Sequence, residues 1–185
     1  MTTYISLLRG INVSGHNIIK MDALKQMYSD LGFKNVLTYI QSGNVIFQYK
    51  RSKPEHLENK IATKISEVFD FNVPVLVLEI SDIANVLKNN PFIIKRNEDR
   101  SKLHATLLSK EPGKENTVKI NTGQYLPDEF NITGRAIYLF CPDGYGRTKL
   151  TNTFFENKLK ISATTRNWKT MIKLYSLAEN LKHDM

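Results

Sequence analysis

Apolar side chains in the first 80 residues follow two different spacings. Runs of β-branched and aromatic residues predict strands at 4–8 and 73–80 and a hairpin over 36–49, with helices between them. The helical apolar positions are Met21, Leu24, Met27, Tyr28 and Leu31, and then Leu57, Ile61, Ile65, Val68 and Phe69. Gly32 predicts a left-handed stop after the first helix, and Pro54 is typical of the first position of the second. The predicted order is βαββαβ.

This order limits how the strands can pair. Right-handed crossovers and short connections favour a ferredoxin-like sheet, in which the third strand lies between the first two and runs antiparallel to both. The end of the first strand and the hairpin loop then share one sheet edge. We therefore expect polar residues of these two loops to lie near one another, namely Arg9, Asn12, Gln41, Ser42 and Asn44.

The second half shows a similar but less regular pattern. Ser81 is the expected cap of a helix over 82–89 that ends before Pro91, and a strand is predicted at 103–108. A short helix is expected within 111–121. A hairpin follows over 129–142.

Two amphipathic helices complete the predicted second half. One carries Leu150, Phe154 and Leu159; the other carries Trp168, Met171, Ile172, Tyr175, Ala178 and Leu181. Thr164 or Thr165 is the expected cap of the last helix.

An internal similarity links the halves. The segment TGRAIY (133–138) matches SGNVIF (42–47) in residue character, which is typical of a duplication. We predict an α+β fold of two tandem ferredoxin-like halves with mainly antiparallel sheets. The first half spans 1–80; the second, 81–185, is irregular and ends in a long C-terminal helix.

Composition is that of a globular protein. The 185 residues are 41% hydrophobic, and no stretch reaches the roughly 18 consecutive apolar residues that cross a bilayer. The single cysteine, Cys141, cannot form an internal disulfide, which agrees with a reducing compartment. We expect a cytoplasmic protein without membrane association. Its oligomeric state cannot be derived from the sequence.

Positive charge is concentrated in the second half. The net charge is +8; residues 1–91 carry ten basic and eight acidic side chains, and residues 92–185 carry sixteen and ten. Such an excess favours anionic partners, whether small molecules, nucleic acid or acidic proteins. A dispersed, solvated basic surface would give the same count.

The loop between the first strand and the first helix is a candidate anion site. Gly10 and Gly15 have the spacing of a Walker A loop, but His16 and Asn17 stand where Lys and Ser or Thr are required. A dinucleotide fingerprint also fails, because a third glycine is missing. Free backbone amides flanked by Arg9 and Lys20 can still hold a phosphate or carboxylate. A purely structural turn is the alternative.

Other chemistry is poorly supported. The four histidines are scattered and only one cysteine is present, so neither a metal site nor a cofactor is predicted. Cys141 is interpreted as a small buried hydrophobic residue, with a reactive thiol as the alternative. Ser42 lacks the strand-to-helix elbow of hydrolases. No acid, base and nucleophile can be placed together, so the sequence does not decide whether the protein is an enzyme.

A second polar cluster precedes the last helix. We expect Arg166 and Asn167 in its first turn, where the positive end of the helix dipole disfavours an arginine. An anionic ligand would account for that position. A salt bridge to Asp143 or Glu156 would also do so.

Four segments together resemble a known bacterial family. They are LLRGINVSG (7–15), GFKNVLTYIQSGNVIF (32–47), GRAIYL (134–139) and TTRNWKT (164–170), and the family is the one catalogued as domain of unknown function 1697. The resemblance implies a two-part α+β protein of ferredoxin-like character with no assigned reaction. The family's motif positions are Arg9, Gly10, Asn12, Gln41, Ser42, Gly43, Asn44, Thr165, Arg166, Asn167 and Trp168. The chain departs from it at Ser14, where glycine is usual, and at Lys169, where asparagine is usual.

Three functions follow as hypotheses. The first is binding of a small anionic ligand between the halves by Arg9, Asn12, Lys20, Gln41, Ser42, Asn44, Arg166 and Asn167. The second is binding of single-stranded RNA, with Tyr4, Phe47 and Tyr49 on one side of the strands, although the aromatic-rich RNA recognition signature is absent. The third is a protein-interaction module.

Overall fold

The computed structural model describes residues 1–120 and 122–183. Its first half contains the predicted βαββαβ order, and its strands and helices have close to the expected lengths. The elements are β1 (Thr2–Leu8), α1 (Met21–Asp30), β2 (Lys34–Tyr39), β3 (Asn44–Tyr49), α2 (Pro54–Phe69) and β4 (Val75–Glu79).

The second half begins with two helices and then repeats that order. The elements are α3 (Ile80–Lys88), α4 (Pro91–Arg96), β5 (Leu103–Leu108), α5 (Lys114–Thr117), β6 (Glu129–Thr133), β7 (Ala136–Phe140), α6 (Asn152–Leu159), β8 (Ala163–Asn167) and α7 (Trp168–His183). Short 3₁₀ helices lie at Arg100–Lys102, Thr122–Tyr125 and Tyr145–Arg147. The strand predicted at 103–108 and the hairpin expected within 129–142 are confirmed. Residue 121, the last of the segment expected to hold a short helix, lies outside the described residues.

Two four-stranded antiparallel sheets are present, with the orders β2-β3-β1-β4 and β6-β7-β5-β8. The mixed α+β fold in two halves is therefore confirmed. In each sheet the second strand of the hairpin, β3 or β7, lies beside the first strand of that half, β1 or β5, as expected from the element order. The chain divides into two compact units: Met1–Ala84 with the chain from Lys173 onward (unit 1), and Asn85–Ile172 (unit 2).

The core of unit 1 lies between its sheet and the helices α1 and α2. Each helix buries one stripe of side chains, which the 3.6-residue period places on one face. The buried helix residues are Leu24, Met27 and Tyr28, and Leu57, Ile61 and Ile65. They meet an aromatic group on the sheet in which the Phe33 and Phe47 ring centroids are 4.3 Å apart.

The core of unit 2 lies between its sheet and α6. Phe130, Phe155, Leu139 and Leu159 are buried there, and the Phe130 and Phe155 rings meet edge to face at 5.6 Å. The helix α5 has only 4 residues, against 10 in α1.

The predicted end of the first helix of this half is confirmed, but its predicted cap is wrong. α3 ends at Lys88, before Pro91, and Pro91 itself begins α4, which the Asn90 side chain caps by accepting from the Phe92 amide at 3.0 Å. Ser81 lies inside α3 rather than at its cap. A proline at a first helical position lacks only an amide that would be unpaired anyway, which is why it starts a helix as readily as it stops one.

The start of α7 also differs from expectation. Thr164, Thr165 and Arg166 belong to β8, and Asn167 is the residue whose Oδ1 accepts from the Thr170 amide at 2.8 Å. Arg166 is therefore a strand residue, and the argument from the helix dipole does not apply to it. Pairing with β5 extends the strand over residue types that locally favour a helix cap.

The repeat between the halves is visible in the hydrogen bonds at the strand ends. The Leu8 amide donates to the Gly43 carbonyl at 2.7 Å, and the Leu108 amide donates to the Arg135 carbonyl at 2.9 Å. These two bonds make Gly43 equivalent to Arg135. The sequence similarity between 42–47 and 133–138 instead aligns Gly43 with Gly134, one residue earlier. The cause is the turn length: residues 40–43 separate β2 from β3, whereas 134–135 separate β6 from β7.

No helix in the described part of the chain is both long and apolar enough to span a bilayer.

Candidate functional site

The loop between β1 and α1 is built around left-handed residues. Positive φ angles occur at Gly10, Asn12, Ser14, Gly15 and Asn17, at 79°, 54°, 49°, 79° and 49°. Ser14 and Gly15 are adjacent and both left-handed, as the two central residues of a type I′ turn are. Backbone amides presented by turns of this kind are donors that an anion can use. The geometry also explains why asparagine and glycine are frequent in this loop.

A tight turn forms the tip of the loop. The His16 amide donates to the Val13 carbonyl at 2.9 Å, and the Asn12 amide donates to the Asn17 carbonyl at 3.1 Å. Within the described residues, the amides of Ser14 and Gly15 at the centre of the turn have no protein acceptor. Both residues are exposed.

Asn12 fastens the loop to the β2-β3 turn. Its Nδ2 donates to the Ile19 and Gln41 carbonyls, each at 3.0 Å, and its Oδ1 accepts from the Ile19 amide at 2.8 Å. Both ends of the loop and the neighbouring turn therefore meet at one side chain. We call residues 9–20 and 40–43 the loop–turn surface.

Gly43 brings the two segments into close contact. A β-carbon at this position would lie 2.8 Å from Leu8 Cβ and 3.0 Å from Ile11 Cδ1, so only glycine fits. Its φ of +76° independently favours glycine.

The six predicted site residues in unit 1 have different environments. Lys20, Gln41 and Ser42 are exposed, while Arg9 and Asn12 are half-buried. Asn44 is completely buried, and its Nδ2 donates to the Tyr39 carbonyl at 3.0 Å and to Ser42 Oγ at 2.9 Å. The amides of Asn12 and Asn44 thus hold the backbone, and the exposed side chains are those of Lys20, Gln41 and Ser42.

The remaining two predicted residues belong to unit 2. Arg166 Nη1 donates to the Thr165 carbonyl at 3.0 Å, and burial lowers the pKa of Arg166 to about 10. The residue as a whole is half-buried. Asn167 caps α7.

Two other groups were not selected from the sequence. His104 is nine-tenths buried, stacks on Tyr145 at 4.9 Å, and has an Nδ1 atom without a hydrogen-bond partner in the described chain. Burial lowers the pKa of His104. Its position in a strand of apolar residues would have been the only sequence signal.

A groove of about 580 Å³ lies between α1 and α2. Lys60 crosses it, donating from Nζ to the Leu31 carbonyl at 2.8 Å and lying over the Phe33 and Tyr49 rings at 5.3 and 5.0 Å. Lys60 therefore provides a hydrogen-bond donor for a carbonyl group at the C-terminal end of α1. The spacing of His56, Lys60 and Lys64 could have indicated the groove, since residues four apart share a helix face.

Redox and metal chemistry gain no support from the described residues. Cys141 is fully buried, and burial raises the pKa of its thiol to about 11. No group of three or more potential metal-ligating side chains occurs in the described ranges. Tyr4 and Phe47, which a nucleic-acid surface would need exposed, are buried in the core of unit 1.

Comparisons with known proteins agree with this architecture. A solved structure described as a conserved bacterial protein from Streptococcus pneumoniae matches with a TM-score of 0.73 and 26% identity, covering 96% of this chain and 98% of that one. No curated protein matches the sequence. The model of a family described as a protein of unknown function, DUF1697, matches residues 1–138. The chain belongs to that family.

Proposed function

We propose that the protein binds a small anion, bearing a phosphate or a carboxylate, on the loop–turn surface of unit 1. The observation that carries this proposal is the left-handed turn at Ser14 and Gly15, whose amides have no protein acceptor within the described residues, in a segment flanked by Arg9 and Lys20. These amides supply donors, and the two basic side chains supply charge.

Rigidity of the surface supports the proposal. The three hydrogen bonds of Asn12 hold the loop against the neighbouring turn before any ligand arrives. A preorganised set of donors loses less conformational entropy on binding than a mobile loop would. Gln41 and Ser42, exposed on the turn, supply polar groups beside it.

Inorganic phosphate is the probe for the first experiment. We expect a saturable rise in melting temperature and saturable NMR shifts at the amides of Ser14 and Gly15, because a ligand that binds only the folded state stabilises it. Lys20→Gln should weaken phosphate binding, since Lys20 is exposed and its side chain makes no helix-cap bond. Lys25→Gln, one turn further along α1 and also exposed, is the matched control.

The outcome can contradict the proposal in two ways. Phosphate that shifts no loop amide at millimolar concentration would exclude this surface as its site. Equal weakening by the Lys20 and Lys25 variants would show that only the general positive charge matters.

For the fold, we propose the more detailed description of each half as ferredoxin-like. The element order β-α-β-β-α-β and the matching strand orders of the two sheets support it. A cytoplasmic location also remains a prediction, based on the single cysteine.

A further inference from the structure

We infer that the anion bound on the loop–turn surface is organic, with its phosphate or carboxylate attached to an aliphatic group. The inference rests on the proposed function, because it names the class of ligand for the same surface. Its basis is a set of three exposed aliphatic side chains in the segments that supply the anion donors. We call Val13, Ile18 and Ile40 the aliphatic rim.

The aliphatic rim is exposed although the loop has other anchors. Val13, Ile18 and Ile40 are 56%, 63% and 48% exposed. Ile11 and Ile19, in the same loop, are buried in the core of unit 1. The loop is therefore held to the fold by two buried isoleucines, and the rim side chains leave apolar surface in contact with water.

Asn12 brings the three rim residues into one small area. Its Nδ2 donates to the Ile19 and Gln41 carbonyls at 3.0 Å each, so those two oxygens lie no more than twice that distance apart. Each rim residue is the chain neighbour of one of these three hydrogen-bonded residues. A single small molecule can therefore reach all three.

Ile40 has an unfavourable backbone conformation. Its φ is 50°, in the left-handed region that crowds a β-branched side chain. The other non-glycine residues with positive φ in the described ranges are Asn, Ser, Asp and Lys. Burial compensates only part of this strain, because nearly half of Ile40 remains exposed. Strain of this kind is concentrated at functional sites, such as those that hold a ligand.

Donors for the anion lie in the same segments as the rim. Lys20 is exposed, and no ion pair joins it to Asp22, the nearest acidic residue in sequence, in the part of the chain that the structure describes. The loop–turn surface itself contains neither Asp nor Glu. A charged head group held by Lys20 and the Ser14 and Gly15 amides thus meets no competing carboxylate within the surface, and its aliphatic group lies beside the rim.

The composition of the surface favours a small ligand over a membrane or a protein. Residues 9–20 and 40–43 include no Trp, Tyr or Phe. Segments at a membrane interface and the energetic centres of protein interfaces are both enriched in aromatic residues. The rim is therefore suited to the aliphatic group of one molecule bound from solution.

A series of monoalkyl phosphates, from methyl to butyl, tests the inference with a constant charged group. Dissociation constants are measured from the NMR shifts of the Ser14 and Gly15 amides in the full-length protein. We expect affinity to increase about twofold per added methylene, against about fourfold for a methylene that is fully buried. Butyl phosphate should thus bind about eightfold more tightly than methyl phosphate.

Ile40→Asn removes a rim side chain without endangering the fold. Asparagine accepts the left-handed conformation, so the variant should be at least as stable as the wild type. Its affinity for methyl phosphate should change less than about twofold, while the gain from methyl to butyl should decrease from about eightfold to below about threefold.

Two further variants locate the alkyl group. Ile18→Ser should reduce the gain from methyl to butyl, as Ile40→Asn does. Ile94→Asn is the matched control, because Ile94 is a 65% exposed isoleucine of α4 in unit 2. This control should keep the full gain.

The possible failures can be distinguished. Equal binding of methyl and butyl phosphate would overturn the inference while leaving phosphate binding intact. If neither these compounds nor inorganic phosphate shift the loop amides, the proposed function fails as well. A gain that both rim variants retain would place the alkyl group on another surface. Phosphatidylglycerol vesicles that sediment the wild type but not the Ile40→Asn variant would identify a lipid surface as the occupant and overturn the assignment to a soluble ligand.

Discussion

Equivalent positions in the two sheets perform different tasks. By strand register and the matching bonds at the strand ends, Tyr4 corresponds to His104, and Phe47 corresponds to Leu139. Tyr4 lies in an aromatic core and its hydroxyl donates to the Ser52 carbonyl at 3.0 Å, whereas His104 has an unpartnered ring nitrogen. The pairing of strands is therefore preserved while the packing on them is not.

The connections at the strand ends differ more than the strands. Unit 1 inserts a twelve-residue segment, 9–20, between β1 and α1 and fastens it with Asn12. Unit 2 joins β5 to α5 through residues 109–113, and α5 is a single turn. One half thus carries a long loop held in place by Asn12, and the other a short connection to a one-turn helix. The comparison teaches that the two sheets keep one strand order while the connections between their strands differ in length.

The largest difference between the halves should appear at the glycines of the two hairpins. Gly43→Ala should destabilise the protein by about 2–4 kcal/mol, because a left-handed alanine is strained and its Cβ would meet Leu8. Gly134→Ala should cost only about 1–2 kcal/mol, since its φ is also positive but no atom lies within 4 Å. Urea unfolding measures both. Equal costs would show that the close approach at Gly43 is not a constraint.

The next effect concerns the side chains that fasten the strand ends. Asn12→Gly should cost about 1–3 kcal/mol, because it removes three hydrogen bonds while keeping a residue that accepts positive φ. Arg135→Ala removes the 3.2 Å bond from Nε to the Leu108 carbonyl and should cost about 0.5–1.5 kcal/mol. Urea unfolding again compares them.

Of these two variants, only Asn12→Gly should affect phosphate binding. Its loop amides should exchange faster with solvent deuterium and lose the shifts that phosphate causes. If the loop of the Asn12→Gly variant keeps the wild-type protection, Asn12 is not what orders it.

A smaller, pH-dependent difference should arise from His104. Burial lowers its pKa in the folded state below the ordinary 6.5, so the unfolded chain binds a proton first as pH falls. Stability is complete above pH 6.5 and decreases as pH falls from there towards the folded pKa. The slope from this group cannot exceed about 1.4 kcal/mol per pH unit.

His104→Phe keeps a ring against Tyr145 but cannot titrate. The unfolding free energy of the variant should not show this decrease between pH 7 and 5. The equivalent position in unit 1, Tyr4, likewise has no histidine that could titrate. Identical pH profiles for wild type and variant would contradict the assignment to His104.

The smallest effect should be a gain. Ser14→Gly should stabilise the protein by roughly 0.5–1 kcal/mol, since Ser14 has a φ of 49° that glycine adopts without strain. Thermal unfolding measures it, and a decrease in stability would show that the serine side chain contributes contacts outweighing its backbone strain.

Much of the fold could be predicted because it depends on short-range patterns. The periods of apolar residues located the strands and helices of unit 1, and the restriction to right-handed crossovers predicted that β3 lies beside β1. The same reasoning predicted that Asn12 and Gln41 lie close together. It could not predict that the Asn12 amide bonds the Gln41 carbonyl, because hydrogen-bond partners depend on ångström-scale loop geometry.

The sequence alone therefore determined the element order of the first half, the excess of positive charge and the segments with family character. Tertiary structure decided the rest: that Arg166 belongs to a strand, that Asn44 is buried, and that Asn12 bonds the Gln41 carbonyl. Each of these outcomes depends on which segment packs alongside. A residue's own conformational preferences differ by about 1 kcal/mol or less, and a neighbouring strand or helix can outweigh them.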